Sequence, residues 1–152
     1  MSRTATCDRN TKETQIHIEL NIDGTGQYNI DTGVGFFDHM LEGFARHGLF
    51  DLTVKVKGDT QVDAHHTVED TGIVLGKAFL SALGDKAGIA RFGYFILPMD
   101  DALVLASLDF SGRMYFDFEA DLKAERLGTM ETEVVREFFM GLAGGVGMNL
   151  HI

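Results

Sequence analysis

The chain has 152 residues, 45% of them hydrophobic, and 13 basic against 23 acidic side chains give it a net charge of −10. This length predicts one domain, and the acidic balance argues against nucleic acid or an anionic membrane as partner. We expect no membrane span and no signal peptide, because no apolar run approaches about 20 residues. The lone Cys7 excludes an intrachain disulfide and fits a reducing cytoplasm.

The first half of the chain alternates between strand and helix patterns. Residues 14–23 place apolar side chains at every second position before Asp23-Gly24, which predicts a half-buried strand closed by a turn. Residues 35–48 predict a helix with Gly48 as its C-terminal cap and an apolar stripe made of Phe36, Met40 and Phe44. Residues 49–59 alternate again as a strand, and residues 65–85 predict a second helix that ends at Gly84.

The second half begins with strands and ends with a helix and a strand. Residues 91–98, 102–112 and the short segment 114–118 read as strands, followed by an acidic linker. A helix is predicted over 130–145 and a terminal strand over 148–152. Strands interleaved with few helices favour an α+β or a layered α/β fold.

An internal repeat emerges when residues 38–52 are laid over 136–152 without a gap before the following strand. Both segments follow a strand-rich block of similar length, and His39 then falls on Glu137. The identity is low, so a duplicated half and a chance similarity both stay open.

The stretch "VDAHHTVED" places two histidines before a glutamate on the predicted second helix. Neighbouring side chains on a helix diverge by about 100°, so His65 and His66 point to different places. Glu69 lies four residues after the first and three after the second, which suits two metal ions better than one. Asp63 or Asp70 would orient an imidazole from behind. A solvated acidic face is the alternative.

Two glycines, Gly72 and Gly76, interrupt the same predicted helix. Each costs up to about 1 kcal/mol relative to alanine in a helix interior. We therefore expect close packing against this face, either by a neighbouring backbone or by a ligand.

Other candidates are less specific. A lone histidine such as His39 beside Asp38 is more often a capped or core histidine than a ligand. The glycine run at 143–147 follows a helix and indicates a helix cap rather than a phosphate loop. Arg91 and Arg113 each lie near a glycine at a strand end. Their side chains could bind a phosphate together or simply be exposed to solvent. The zincin motif and the dinucleotide fingerprint are absent.

Several blocks together closely resemble the imidazoleglycerol-phosphate dehydratase family, from about residue 9 to the last residue: "RNTKET", "TGVGFFDHML", "HGLFDL", "VDAHHTVEDTGIVLG", "GIARFGYFILPMDDAL", "LDFSGR", "METEVVREFF" and "NLHI". The resemblance implies an α+β fold of two pseudo-repeated sheet-and-helix halves, a ribosomal protein S5 domain 2-like duplication with sheets packed against helices. Residues 1–152 would form a single domain, with a first half to about 90 and an incomplete second half over about 91–152.

The resemblance also implies a function, namely the metal-dependent dehydration of D-erythro-imidazole-glycerol phosphate to imidazole-acetol phosphate in histidine biosynthesis. The enzyme would be a cytoplasmic carbon–oxygen lyase with two Mn²⁺ ions in each complete active site. Active sites would lie between subunits, with trimers assembling into a shell of up to 24 subunits.

Site residues follow from matching the family motifs. The positions that match metal ligands are His39, His65, His66 and Glu69, together with Glu137, whose position is His in some relatives. Glu13 matches the catalytic acid or base, and Glu69 is given a catalytic role as well. The substrate would contact these groups and also His47, with Arg91 and Arg113 holding its phosphate.

The implied mechanism explains why adjacent histidines are useful. The C–H bond to be broken is not acidic, but a substrate imidazolate bridging two metals could expel hydroxide through a diazafulvene-like intermediate. A carboxylate such as Glu13 would then move the proton. Histidine and carboxylate ligands by themselves suit Mn, Fe, Co or Zn alike.

The family pattern continues beyond Ile152 with a second His-His-x-x-Glu block and a phosphate-binding segment. We therefore expect that this form is truncated, or that a tail has been omitted, and that the 152-residue chain stops at an inactive trimer. Two alternatives are open: a non-catalytic metal-binding oligomer and a dinuclear metal hydrolase. The hydrolase does not account for Glu13 and the two arginines together.

Overall fold

The computed structural model describes residues 3–152, which form two four-stranded sheets and three helices. The first sheet contains β1 (Thr4–Asn10), β2 (Thr14–Asn21), β3 (Tyr28–Asp31) and β4 (Asp51–Gly58), in the order β1-β2-β4-β3. The helices of this half are α1 (Gly35–Gly48) and α2 (His65–Leu83). The alternating apolar residues of β2, including Ile16, Ile18 and Leu20, are buried beneath α2, as the sequence pattern predicts.

The second sheet repeats this topology. It contains β5 (Phe92–Met99), β6 (Ala102–Asp109), β7 (Tyr115–Asp117) and β10 (Asn149–His151), in the order β5-β6-β10-β7. In both sheets the first two pairings are antiparallel and the last is parallel. Its helix is α3 (Val134–Val146), which precedes β10 as α1 precedes β4. A small hairpin of β8 (Arg126–Leu127) and β9 (Met130–Glu131) is inserted before α3.

The duplication holds to the level of single hydrogen bonds. At the end of α1, Leu49 has φ 59° and its N–H donates to Ala45 O. At the end of α3, Gly147 has φ 70° and its N–H donates to Ala143 O at 3.0 Å. These two caps are the residues that the predicted register aligns, so the α+β fold of two duplicated halves is confirmed. The predicted division near residue 90 falls between α2 and β5 and stays a prediction.

Helices α2 and α3 meet through glycines. A Cβ added to Gly76 would lie 2.5 Å from Leu142 O, and one added to Gly145 would lie 2.5 Å from Ile73 O. Gly72 likewise faces the backbone of Phe138. Only hydrogen at Cα allows the two backbones to approach this closely. The close packing expected at Gly72 and Gly76 is therefore a neighbouring backbone.

Several local predictions were wrong. The stripe of α1 that packs into the core is Phe37, Leu41 and Ala45, while Met40 and Phe44 are 44% and 37% exposed. The left-handed cap of α1 is Leu49 rather than Gly48. Strands β1 and β3 were not predicted, and residues 130–131 belong to a strand instead of opening α3.

The second sheet is much more exposed than the first. Its face opposite the core, here called the outer face, carries Phe92, Tyr94, Ile96, Leu103 and Leu105, all more than half exposed. The equivalent positions of the first sheet are polar: Thr4, Thr6, Asp8, Gln15 and His17. Among the described residues, no helix combines the length and apolar character needed to cross a membrane.

Candidate active site

The first turn of α2 presents the two adjacent histidines in different directions. His65 Nε2 lies 3.2 Å from Glu69 Oε2, one helical turn later. The rings of His65 and His66 are 6.0 Å apart between centroids, with an interplanar angle of 80°. As the helical spacing predicts, the two imidazoles do not converge, and Glu69 accompanies only the first.

His66 is paired with Asp59, which lies just beyond the end of β4. The distance between His66 Nδ1 and Asp59 Oδ2 is 2.9 Å. This hydrogen bond raises the pKa of His66, and the negative charges of Asp59, Asp63 and Glu13 act in the same direction. With Nδ1 held by the carboxylate, Nε2 is the nitrogen left to bind an ion or substrate.

The carboxylate predicted to orient an imidazole was therefore misassigned. Asp63 Oδ1 instead accepts the backbone N–H of His65 at 2.8 Å. Asp70 lies on the buried side of α2, where it contacts Arg9 and Thr14. Asp59 follows the last glycine of a strand and is seven residues before His66, so no helical spacing connects the two in the sequence. The sequence offered one signal for this partner, namely a carboxylate directly after a strand that ends beside the start of the helix.

Glu13 lies in the tight turn between β1 and β2. Its backbone N–H donates to Thr11 Oγ1 at 3.2 Å, and its side chain is exposed. Glu13 and Asp59 line the same surface depression, and the charge of Glu13 is close enough to influence His66. The structure thus brings the predicted proton-transfer group to the predicted metal-binding turn.

The two predicted phosphate-binding arginines gather around one carboxylate at the end of the second sheet. Arg91 Nε and Nη2 donate to the two oxygens of Asp109 at 2.6 and 3.0 Å. This interaction lowers the pKa of Asp109, and the charge of Arg113 lowers it further. Arg91 is thus already paired, and an arriving phosphate would have to share or displace Asp109.

The remaining predicted residues are at the surface. His39 and His47 are exposed on α1, and Glu137, half-buried on α3, pairs with Arg136 at 3.5 Å. Glu137 precedes Phe138, which packs against Gly72, so it lies beside the early turns of α2. Within residues 3–152, no three His, Cys, Asp or Glu side chains converge as a metal-binding group.

Comparison with known proteins assigns these features to one family. The family model described as imidazoleglycerol-phosphate dehydratase matches residues 32–152. Enzymes of that name from Lachnoclostridium phytofermentans and Acetivibrio thermocellus are 60% and 59% identical over 152 residues, which is all of this chain and 78% of each relative. The relative from Caldanaerobacter subterraneus is 61% identical over 150 residues, which is 99% of this chain and 77% of that protein.

Solved structures agree with the sequence comparison. The imidazoleglycerol-phosphate dehydratase of Staphylococcus aureus superimposes with a TM-score of 0.86 at 36% identity, covering 97% of this chain and 81% of that one. IGPD from Pyrococcus furiosus gives 0.82 at 36% identity, covering 95% and 77%. The chain therefore belongs to the imidazoleglycerol-phosphate dehydratase family, the hydro-lyases of histidine biosynthesis.

Proposed function

We propose that this chain supplies residues of an active site that dehydrates imidazole-glycerol phosphate to imidazole-acetol phosphate. The observation that carries the proposal is the arrangement at the start of α2. Two imidazoles diverge there, each beside a different carboxylate, and Glu13 lines the same depression as Asp59, the partner of the second. A substrate that contains an imidazole ring and a phosphate would use the divergent histidines for its ring and the two arginines, which lie on the second sheet, for its phosphate.

The side chains present fit a pair of divalent ions, with Mn²⁺ as the family resemblance implies. His65 and Glu69 would hold one ion, and His66, oriented by Asp59, would hold the other, with His39 and Glu137 as further ligands. Such ions would supply Lewis acidity toward the substrate's imidazole and would orient it. The donor types fit Mn²⁺ as well as other transition metals, and His66 has the carboxylate support typical of metal-bound histidines.

The protein's own groups would move the proton and hold the phosphate. Glu13 is exposed in a fixed turn, so its carboxylate can take a proton from a substrate carbon and deliver it elsewhere. Arg91 and Arg113 would bind the phosphate dianion, and the hydrogen bonds to Asp109 would orient Arg91 beforehand. His47 would line the substrate pocket.

Self-association is a further part of the proposal, with a second copy of the chain as the partner. The apolar outer face of the second sheet supports it, because the same face of the first sheet is polar although the topology is identical. The fold itself therefore does not require apolar residues there. Contiguous apolar patches of this kind are uncommon on proteins that act as monomers. The trimer and larger shell implied by the resemblance, and a cytoplasmic location, belong to the same proposal.

The decisive experiment measures turnover and metal content together. Glu13→Gln should keep the Mn²⁺ content and lower the rate by roughly 10² to 10⁴. In a full-length protein, His65→Ala and His66→Ala should each lower the metal content and abolish turnover. Glu19→Gln, which alters an exposed glutamate on the following strand, is the matched control and should change neither quantity.

Two results would contradict the proposal. Metal binding without any dehydration of imidazole-glycerol phosphate by the unmodified full-length protein would favour a non-catalytic metal-binding oligomer. Loss of Mn²⁺ together with rate in Glu13→Gln would place Glu13 among the metal ligands.

A further inference from the structure

Asp70 is a buried carboxylate on α2 that has no role in the proposed binding of metal or substrate. Its side chain is only 12% exposed. One oxygen accepts a hydrogen bond from Arg9 Nη2 at 3.1 Å, and the other accepts one from Thr14 Oγ1 at 2.6 Å. The second contact joins α2 directly to the residue that follows Glu13.

The hydrogen bonds beyond Thr14 form a chain with one direction. A carboxylate can only accept, so the hydroxyl of Thr14 must donate to Asp70. The hydroxyl of Thr11, 3.2 Å from that of Thr14, then donates to it. The oxygen of Thr11 in turn accepts the backbone N–H groups of Glu13 and Thr14 at 3.2 and 3.0 Å. Asp70 therefore fixes the direction of the hydrogen bond between the two hydroxyls and links α2 to the oxygen on which both backbone N–H groups converge.

The same face of α2 also reaches the neighbouring strand end. His66 and Asp70 are four residues apart and so lie on one side of the helix. Thr14 is paired across the sheet with Gly58, and the next residue, Asp59, accepts the hydrogen bond of His66. Glu13 thus precedes one member of this strand pair, and Asp59 follows the other. Helix α2 contacts the start of β2 through Asp70 and the end of β4 through His66.

We propose that Asp70 and Thr14 are positioning residues that set the place of Glu13 relative to the histidine-bearing turn of α2. This inference rests on the proposed function, because it takes Glu13 as the proton-transfer group. Asp70 acts through Thr14 and Thr11 on the backbone of the turn and touches neither ion nor substrate. A small displacement of a reacting group is costly, since a shift of about 1 Å lowers a rate about 10²-fold.

Thr14→Val is the sharpest test, because it removes the hydroxyl and keeps the shape of the side chain. It should lower kcat by roughly 10- to 100-fold while KM and Mn²⁺ content stay close to those of the unmodified protein. Thr14→Ser keeps the hydroxyl and should keep most of kcat. Amide hydrogen exchange at Glu13 and Thr14 should become faster in the valine variant and change little in the serine variant.

Asp70→Asn provides a second variant and should speed the same amides. If the serine and valine variants lose kcat equally, or if amide exchange at Glu13 and Thr14 is unchanged in Thr14→Val, the inference is overturned. If the unmodified full-length protein fails to dehydrate imidazole-glycerol phosphate, the proposed function fails instead. The exchange measurement then decides by itself whether the carboxylate orders the turn.

Discussion

Replacing Gly76 by alanine should destabilise the protein even though alanine favours helices. The added methyl group would lie 2.5 Å from Leu142 O and 2.9 Å from both Gly145 Cα and Val146 N. Ordinary contacts begin near about 3.5 Å, so the overlap is about 1 Å. All three neighbours are backbone atoms and cannot rotate away, so α3 has to move.

Two opposing effects set the magnitude. Alanine in place of glycine stabilises a helix interior by about 1 kcal/mol. Forcing an extra carbon into a packed interface costs about 1–3 kcal/mol, and rigid backbone neighbours place this case near the upper end. We therefore expect a net loss of about 1–2 kcal/mol in the free energy of unfolding.

Gly43 offers a matched control on α1, because no atom lies within 4 Å of a Cβ added there. Gly43→Ala should gain up to about 1 kcal/mol. Urea unfolding followed by circular dichroism would separate the two variants by about 2–3 kcal/mol, or about 2–4 °C of Tm for each kcal/mol. If Gly76→Ala is as stable as Gly43→Ala, the two helix backbones do not meet as described.

Two further predictions concern ionisation and assembly. The hydrogen bonds from Arg3 lower the pKa of Asp23 from 3.8 to about 2, so this pair stabilises the fold above 3.8 and stops doing so as the pH falls through about 2. Carboxyl NMR titration should show a higher pKa for Asp23 in Arg3→Ala, which removes the side-chain hydrogen bonds and keeps the one from the backbone N–H. Leu105→Glu, on the outer face of the second sheet, should reduce the mass measured by light scattering, whereas Thr6→Glu on the first sheet should not. An unchanged mass in Leu105→Glu would exclude this face as the contact between copies.

The sequence predicts best where one local signal decides the structure. The pattern of residues 65–85 predicts α2, and the helix ends at Gly84, which has φ 55°, as predicted. Strand β1 escaped prediction because its inward residues, including Ala5 and Cys7, are small and weakly apolar. The buried stripe of α1 was misplaced by one position because Phe36 and Phe37 are both aromatic, and only tertiary packing chooses between them.

The candidate site shows the same division between local and tertiary information. Divergence of His65 from His66 follows from helix geometry alone, and the structure has it. The partner of His66 depends on where β4 ends relative to α2, which no spacing in the sequence encodes. Likewise, the burial of Asp70 against Thr14 arises only when the β1–β2 turn is brought beneath the helix.

The glycine contact between α2 and α3 bears on how freely such a protein can change its sequence. A Cβ added to Gly141 would lie 3.0 Å from the carbonyl oxygen of Glu69, so the main chain at this glutamate rests on the main chain of α3. Where side chains separate two helices, substitutions that alter volume shift one helix against the other. Here that spacer is missing, so a change of side-chain volume in the surrounding core should move the main chain of Glu69 little. The position of this glutamate depends instead on the glycines that let the two backbones touch.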